Sequence, residues 1–260
     1  MTSQLILNKN EANFLQEVST IYYMNPIQAR IDSWVKQSGN EKDGWRMVWD
    51  HLNEILVSAQ DDIEQILNKR LAFGEISNKS QARKSIAKKI YSQAIIYTFI
   101  QNKLVKNISD RIFIASTKYP TLDFDRLVTI NVGEETQKLE PDLTIYSVKE
   151  DSKLDRCIIL FLKTSLKENL DRVYEWKLLM EIAMSDCEVR DKYDISYNPP
   201  TIPLVCFVTV NFYDEINNPQ HRGMFKFFDR AFIGKPIDTQ STNFISPLST
   251  LIDFANQNLT

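Results

Sequence analysis

The sequence predicts an α/β fold: a mixed central sheet flanked by helices, preceded by a helical N-terminal region. Three observations carry this. Apolar residues recur at three- and four-residue spacing through the first third of the chain, the period of a helix face. Short β-branched and aromatic runs crowd the second half, bounded by turn-forming residues. Their order is strand, strand, strand, helix, strand, which calls for a mixed sheet with helices packed against it.

The helical region divides into Glu11–Ser38, with Phe14, Val18, Ile21 and Tyr22 on one face, and Asp43–Ala72, with Trp45, Val48, Trp49, Leu52, Ile55 and Leu56. Pro26 breaks or bends the first segment. Trp34, Trp45 and Trp49 read as packing residues. The next helix, Ser77–Lys106, has an unusual charge pattern. No Asp or Glu lies between Ile76 and Ser109, whereas Lys79, Arg83, Lys84, Lys88, Lys89, Lys103 and Lys106 do. Lys79/Arg83 and Lys84/Lys88 stand four apart, along one side of the helix. Two readings stay open: a solvated face with acidic partners elsewhere in the fold, or a face for a polyanion, whose phosphates would release counterions on contact.

Strand-like segments follow at Arg111–Ala115 and at Asp125–Val132, the latter ending on the turn signal Gly133–Glu134. Glu140-Pro141-Asp142-Leu143-Thr144-Ile145-Tyr146 and Ile158-Ile159-Leu160-Phe161-Leu162-Lys163 read as two apolar strands joined by the polar Ser147–Arg156. A helix over Ser165–Met184 leads to a buried strand at Leu204–Phe212, entered through Pro199, Pro200 and Pro203. Asn217–Gly223 reads as a polar loop, Gly223–Ile233 as an amphipathic helix and Leu248–Gln257 as a closing helix.

Composition narrows the function. At 260 residues, 43% hydrophobic and 25% charged, the chain is an ordinary globular protein long enough to bury a sizeable core. Six glycines and no G-x-G-x-x-G or Walker pattern argue against a nucleotide loop. Two histidines give little support for a zinc site or a Ser-His-Asp triad. Cys157, Cys187 and Cys206 are odd in number and widely spaced, as thiols in a reducing compartment are. No apolar run reaches membrane-spanning length, so a cytoplasmic protein without a membrane partner is expected. A net charge of −3 leaves the distribution of charge open.

Laid side by side, the two central strands bring the carboxylate of Asp142 and the ammonium of Lys163 to one end of the sheet. A carboxylate can hold a hard cation, and a nearby lysine can orient or help deprotonate water. Ile159, Phe161 and Lys163 share a face, so Phe161 stands where a strand-borne metal site would want a second carboxylate. The following helix offers two more acids. Ser165-x-x-Glu168 fits a capping box, a sufficient structural task for Glu168. Glu175 shares a face with Glu168 and Arg172 and has no capping task; it is either a solvent carboxylate beside Arg172 or Lys177, or the missing acid.

The combination Lys138-Leu139-Glu140-Pro141-Asp142 with Lys163-Thr164-Ser165-Leu166-Lys167-Glu168 resembles type II restriction endonucleases of the PD-(D/E)XK superfamily. It is most similar to the group whose last acid has migrated from the strand to the following helix, as in several cutters of CCGG- or CCWGG-centred sites. The run Lys79–Tyr91 resembles the basic helix preceding the sheet in such enzymes. The matching order spans about Lys79 to Phe212.

The resemblance implies a PD-(D/E)XK restriction-endonuclease-like core over 77–260, behind a helical region over 1–76, the two forming one compact unit. It implies a Mg²⁺-dependent enzyme that hydrolyses DNA phosphodiester bonds within a restriction–modification system, acting on double-stranded DNA as a homodimer. Asp142 would be a metal ligand, Glu175 the migrated second acid with Glu168 as its alternate, and the Leu162 main-chain carbonyl a further ligand. Lys163 would position or activate the attacking water. Lys79, Arg83, Lys84, Lys88, Lys89, Lys167, Arg172 and Arg222 would contact DNA, with Asn217–Arg222 a loop for base reading. Three departures stand against the pattern: Phe161 in place of a polar residue, Ser92 where a glutamate often ends the basic helix, and Glu175 twelve residues after Lys163. The competing expectations are a catalytically silent DNA-binding subunit of the same fold and an unrelated helical interaction protein.

Overall fold

The computed structural model describes residues 6–116, 123–163, 170–210, 219–236 and 245–260. Five helices open the chain: α1 (Lys9–Glu17), α2 (Asn25–Gln37), α3 (Glu41–Met47), α4 (Leu52–Ser58) and α5 (Gln60–Ala72). The two long helical segments expected from periodicity are therefore cut into five. The cuts fall at local signals. Asn8 and Glu11 form a capping box on α1, Pro26 sits in the first turn of α2, and Asn40 caps α3.

The 26-residue helix α6 (Lys79–Leu104) is the axis of the molecule. Its consecutive residues Ala94–Ile100 are all buried, so this half is enclosed all round, which periodicity at one face does not describe. One core cluster joins Ile27, Ile31, Trp49 and Leu52 of the N-terminal helices, Ile95 and Phe99 of α6, and Ile145, Leu160 and Val208 of the sheet. Trp45 and Trp49 are buried in it and Trp34 packs at its edge, as packing residues should.

A buried ion pair ties this centre together. Lys103 Nζ lies 3.0 Å from Glu11 Oε2 with both side chains wholly inaccessible. The other Glu11 oxygen accepts the Ile114 N–H at 3.1 Å, and Lys103 stands over the Phe113 ring at 3.8 Å.

The strands are β1 (Ile112–Ser116), β2 (Thr129–Val132), β3 (Glu135–Lys138), β4 (Leu143–Val148) and β5 (Leu154–Lys163), with helix α7 (Phe124–Val128) between β1 and β2. Helices α8 (Leu170–Met184) and α9 (Glu188–Lys192) then lead to β6 (Ile195–Ser196) and β7 (Leu204–Thr209). The chain ends with α10 (Pro219–Phe225), β8 (Arg230–Ile233), β9 (Ser246–Pro247) and α11 (Leu251–Leu259). The main sheet runs β1-β4-β5-β7-β8-β9, antiparallel through β5 and parallel from β5 onward; β3-β2-β6 form a second, small sheet. This is the mixed sheet flanked by helices that a restriction-endonuclease-like fold requires. Ile158, Leu160 and Leu162 of β5 face α6, while Ile159 and Phe161 face α8. Among the described residues no helix is long and apolar enough to cross a membrane.

Three further expectations fail. Asp125–Val132 is not one strand: Phe124–Val128 is helical and only Thr129–Val132 is extended. Leu127 and Val128 are both fully buried, and a strand with one covered face buries only alternate residues. Gly223–Ile233 is not a helix either. The helix lies earlier, at α10, so Pro219–Gly223 is helical where a polar loop over Asn217–Gly223 is expected, and Arg230–Ile233 is a strand parallel to β7. Phe225, Phe228 and Phe232 mimic helical spacing, but Ala231, Phe232 and Ile233 are buried in succession, as in a strand covered on both faces.

Candidate active site at the open end of β4 and β5

The register pairs Leu143 with Leu160. Asp142 therefore falls opposite Phe161 and diagonal to Lys163, on the sheet face that carries Thr144 and Ile159. Strand β4 starts at Leu143 whereas β5 runs on to Lys163, so the end of β5 lacks a backbone partner on that side. Asp142 supplies it. Its N–H donates to the Leu160 carbonyl at 2.9 Å, and its Oδ2 accepts the Leu162 N–H at 2.7 Å. Pro141, with no N–H to donate, stops the pairing there. The Leu162 carbonyl leaves the strand on the same side as its N–H, toward Asp142.

The other Asp142 oxygen is held by α6: Lys88 Nζ lies 2.5 Å from Oδ1, with 6% of the Asp142 side chain exposed and 67% of the Lys88 side chain. Tyr91, one turn further on, is buried, and no described residue hydrogen-bonds to its hydroxyl. Burial first, and then the Asp142 charge, push its phenol well above the usual range.

Asp142 and Lys163 open into a cavity of about 390 Å³. Among the described residues its wall carries four cations, Lys88, Lys138, Lys163 and Arg172, against two carboxylates, Glu140 and Asp142. Phe161 forms part of the wall and packs on Trp176 of α8, ring centroids 6.4 Å apart, so its place in the strand is a core position. A larger cavity, about 700 Å³, lies among α4, α5 and α6, but its lining is mainly apolar and its Arg83 is paired with Glu64.

The structure thus brings together Asp142, Lys163, Lys88 and Arg172. From α8 the cavity takes Arg172 and Val173; Glu175 is exposed, one turn beyond that wall. Glu168, Lys167 and Asn217 lie outside the described residues. Ser92 donates its hydroxyl to the Lys89 carbonyl, 3.0 Å away, and takes no part in the cavity. Lys79 and Arg83 share one carboxylate, Glu64 of α5, at 2.8 and 2.7 Å, which offsets one of their two charges, whereas Lys84 and Lys89 are exposed and form no ion pair with a described residue. Arg222 is exposed on α10.

Sequence reasoning gave no role to two charged lining residues, Lys138 and Glu140. Lys138 carried no signal of its own. Glu140 sits two before Asp142, and continuing the β4–β5 register would set it opposite Lys163, a relation readable once the two strands are paired.

As a metal site the arrangement is partial. Among the described residues no cluster of three His, Cys, Asp or Glu could hold an ion. Yet Asp142 Oδ1 already holds a cation, the Lys88 ammonium, and the Leu162 carbonyl faces the same side. Both are oxygen donors of the kind a hard divalent ion prefers.

No curated protein sequence matches the chain. The family model for BsaWI restriction endonuclease type 2 matches residues 114–254, more than half of the chain, and includes Asp142, Lys163 and Arg172. The chain belongs to this family of type 2 restriction endonucleases.

Proposed function

We propose that this protein is a Mg²⁺-dependent endonuclease of the PD-(D/E)XK type that cuts double-stranded DNA at specific sites, as the cleaving half of a restriction–modification pair. The observation that carries the reading is the diagonal placement of Asp142 and Lys163 on one sheet face, both lining a cavity where cations outnumber carboxylates among the described residues. A polyanionic phosphodiester suits that balance of charge.

Asp142, the Leu162 carbonyl and Glu175, with Glu168 as its alternate, would hold the ion. When bound, Mg²⁺ supplies Lewis-acid polarisation of the scissile phosphate. Lys163 positions the attacking water in line with the leaving oxygen and stabilises charge developing on the phosphate. Arg172 of the cavity wall, with Lys84, Lys89, Lys167 and Arg222, contacts flanking phosphates; Lys79 and Arg83 contribute less because both are already tied to Glu64. Cutting both strands of a palindrome suits a two-fold dimer.

Digestion of mixed-sequence plasmid and phage DNA, with Mg²⁺ or with EDTA, tests the reading. Discrete metal-dependent fragments are expected. Intact DNA in every lane, with a metal-independent shift in a binding gel, would assign the chain instead to a silent DNA-binding subunit. Phe161 at the second-acid position is the feature that favours that alternative.

A further inference from the structure

We infer that Lys88 is an internal counter-cation of the active site: it occupies the Asp142 carboxylate in the free protein and yields it when a divalent ion and DNA arrive together. The inference rests on the reading of Asp142 as a metal ligand.

Within the basic run Lys79–Lys89, Lys88 is the residue joined to a site carboxylate; Lys79 and Arg83 go to Glu64. The two partners differ in what separation costs them. Asp142 is almost fully enclosed, so its ionised Oδ1 needs a cation in contact. Lys88 is two-thirds exposed on a flexible four-carbon stem, so its ammonium can swing into water at little cost. The helix beneath it cannot follow, because Ile86, Ile90 and Tyr91 anchor that turn in the core. Only the side chain moves.

A divalent ion bound at Asp142 and the Lys88 ammonium compete for one oxygen. DNA relieves the competition, since a phosphate in the cation-lined cavity gives Lys88 a second anion to pair with. Lys88 therefore acts as a positioning residue that couples the two ligands: DNA tightens metal binding, and by reciprocity the metal tightens DNA binding.

The experiment is calorimetric titration of the full chain with Ca²⁺, as a probe ion, with and without mixed-sequence duplex DNA. The variants are Lys88→Met, Lys88→Arg and Asp142→Ala. In the absence of DNA, Lys88→Met is expected to bind Ca²⁺ about tenfold tighter than wild type, the worth of one charge-assisted contact. Lys88→Arg, which keeps the cation, stays near wild type. DNA tightens Ca²⁺ binding to wild type by more than it does in Lys88→Met, where only direct contact between ion and phosphate is left to couple them; mere removal of a positive charge would raise affinity but preserve the full coupling. If Lys88→Met binds Ca²⁺ no tighter than wild type, or keeps the full DNA coupling, the role of Lys88 is overturned even where Asp142→Ala abolishes binding. If Asp142→Ala binds Ca²⁺ as wild type does, the metal-ligand reading of Asp142 itself fails.

Discussion

The carboxylate of Asp142 completes the hydrogen-bond ladder of β5 by accepting the Leu162 N–H at 2.7 Å. One side chain thus has a structural task on Oδ2 and an exchangeable cation on Oδ1. The two can be separated by substitution. Asparagine keeps a carbonyl oxygen for Leu162, so Asp142→Asn should melt within about 4 °C of wild type. Asp142→Leu leaves a buried N–H unpaired, which costs about 1–3 kcal/mol, and should melt measurably lower by thermal denaturation. Equal melting of the two variants would mean that the Leu162 contact contributes nothing.

Lys163 touches the cavity rather than the core. Lys163→Met should lower Mg²⁺-dependent cleavage by about a hundredfold or more, with DNA affinity in a binding gel changed less than about threefold, as expected for the loss of one phosphate contact. Parallel losses in cleavage and binding would make it a DNA anchor instead.

The second acid is open to a direct ranking. Glu175→Gln should reduce single-turnover cleavage at least about a hundredfold. Glu168→Gln, whose amide oxygen can still accept the N-cap N–H, should leave both cleavage and stability near wild type if its task is capping. The reverse ranking would transfer the role to Glu168, and a dominant loss in Glu140→Gln would transfer it to the cavity wall beside Asp142.

The buried pair at the centre gives a pH-dependent prediction. Burial holds the Glu11 carboxyl above its ordinary value, and Lys103 pulls it partly back. Lys103→Met removes that pull, so the carboxyl rises further. A folded pKa raised above the unfolded one gives stability that is present below the unfolded value and lost as pH rises through the folded value. The variant's deficit against wild type should therefore be about 3–5 kcal/mol near neutral pH and shrink as the pH is lowered toward Glu11's ordinary 4.5. Denaturant melts at several pH values measure it; a deficit that grows on acidification would contradict the sign.

The three cysteines should separate by reactivity. Burial pushes the Cys157 thiol up to about 12 and Cys206 well above its usual range. Cys187 is half-buried, and the Ser185 hydroxyl donating to its sulfur at 3.2 Å lowers its pKa. A disulfide-exchange reagent should label one thiol quickly in the native protein and the other two only on unfolding. Two fast thiols would place one of the buried pair at the surface.

Much of the sheet was legible because strand alternation is local: the faces of Ile158–Lys163 follow from a period of two, and that alone aligned Phe161 with Lys163. The Asp142–Lys163 relation was legible for the same reason. The pairing of Lys79 and Arg83 with Glu64, and the reach of Lys88 to Asp142, were not, since each joins residues from separate elements whose packing no local pattern encodes. The errors at Asp125–Val132 and Gly223–Ile233 share a cause. Apolar spacing in short segments fits a helix and a strand alike, and only the surrounding core decides between them.

The most direct test of the account is cleavage by wild type and Asp142→Asn, side by side on the same phage DNA with Mg²⁺, after both have been shown to melt alike. The account predicts discrete fragments from wild type and, from the variant, a rate lower by about a thousandfold or more. Fragments produced by Asp142→Asn at the wild-type rate would contradict it and place the chemistry elsewhere in the chain.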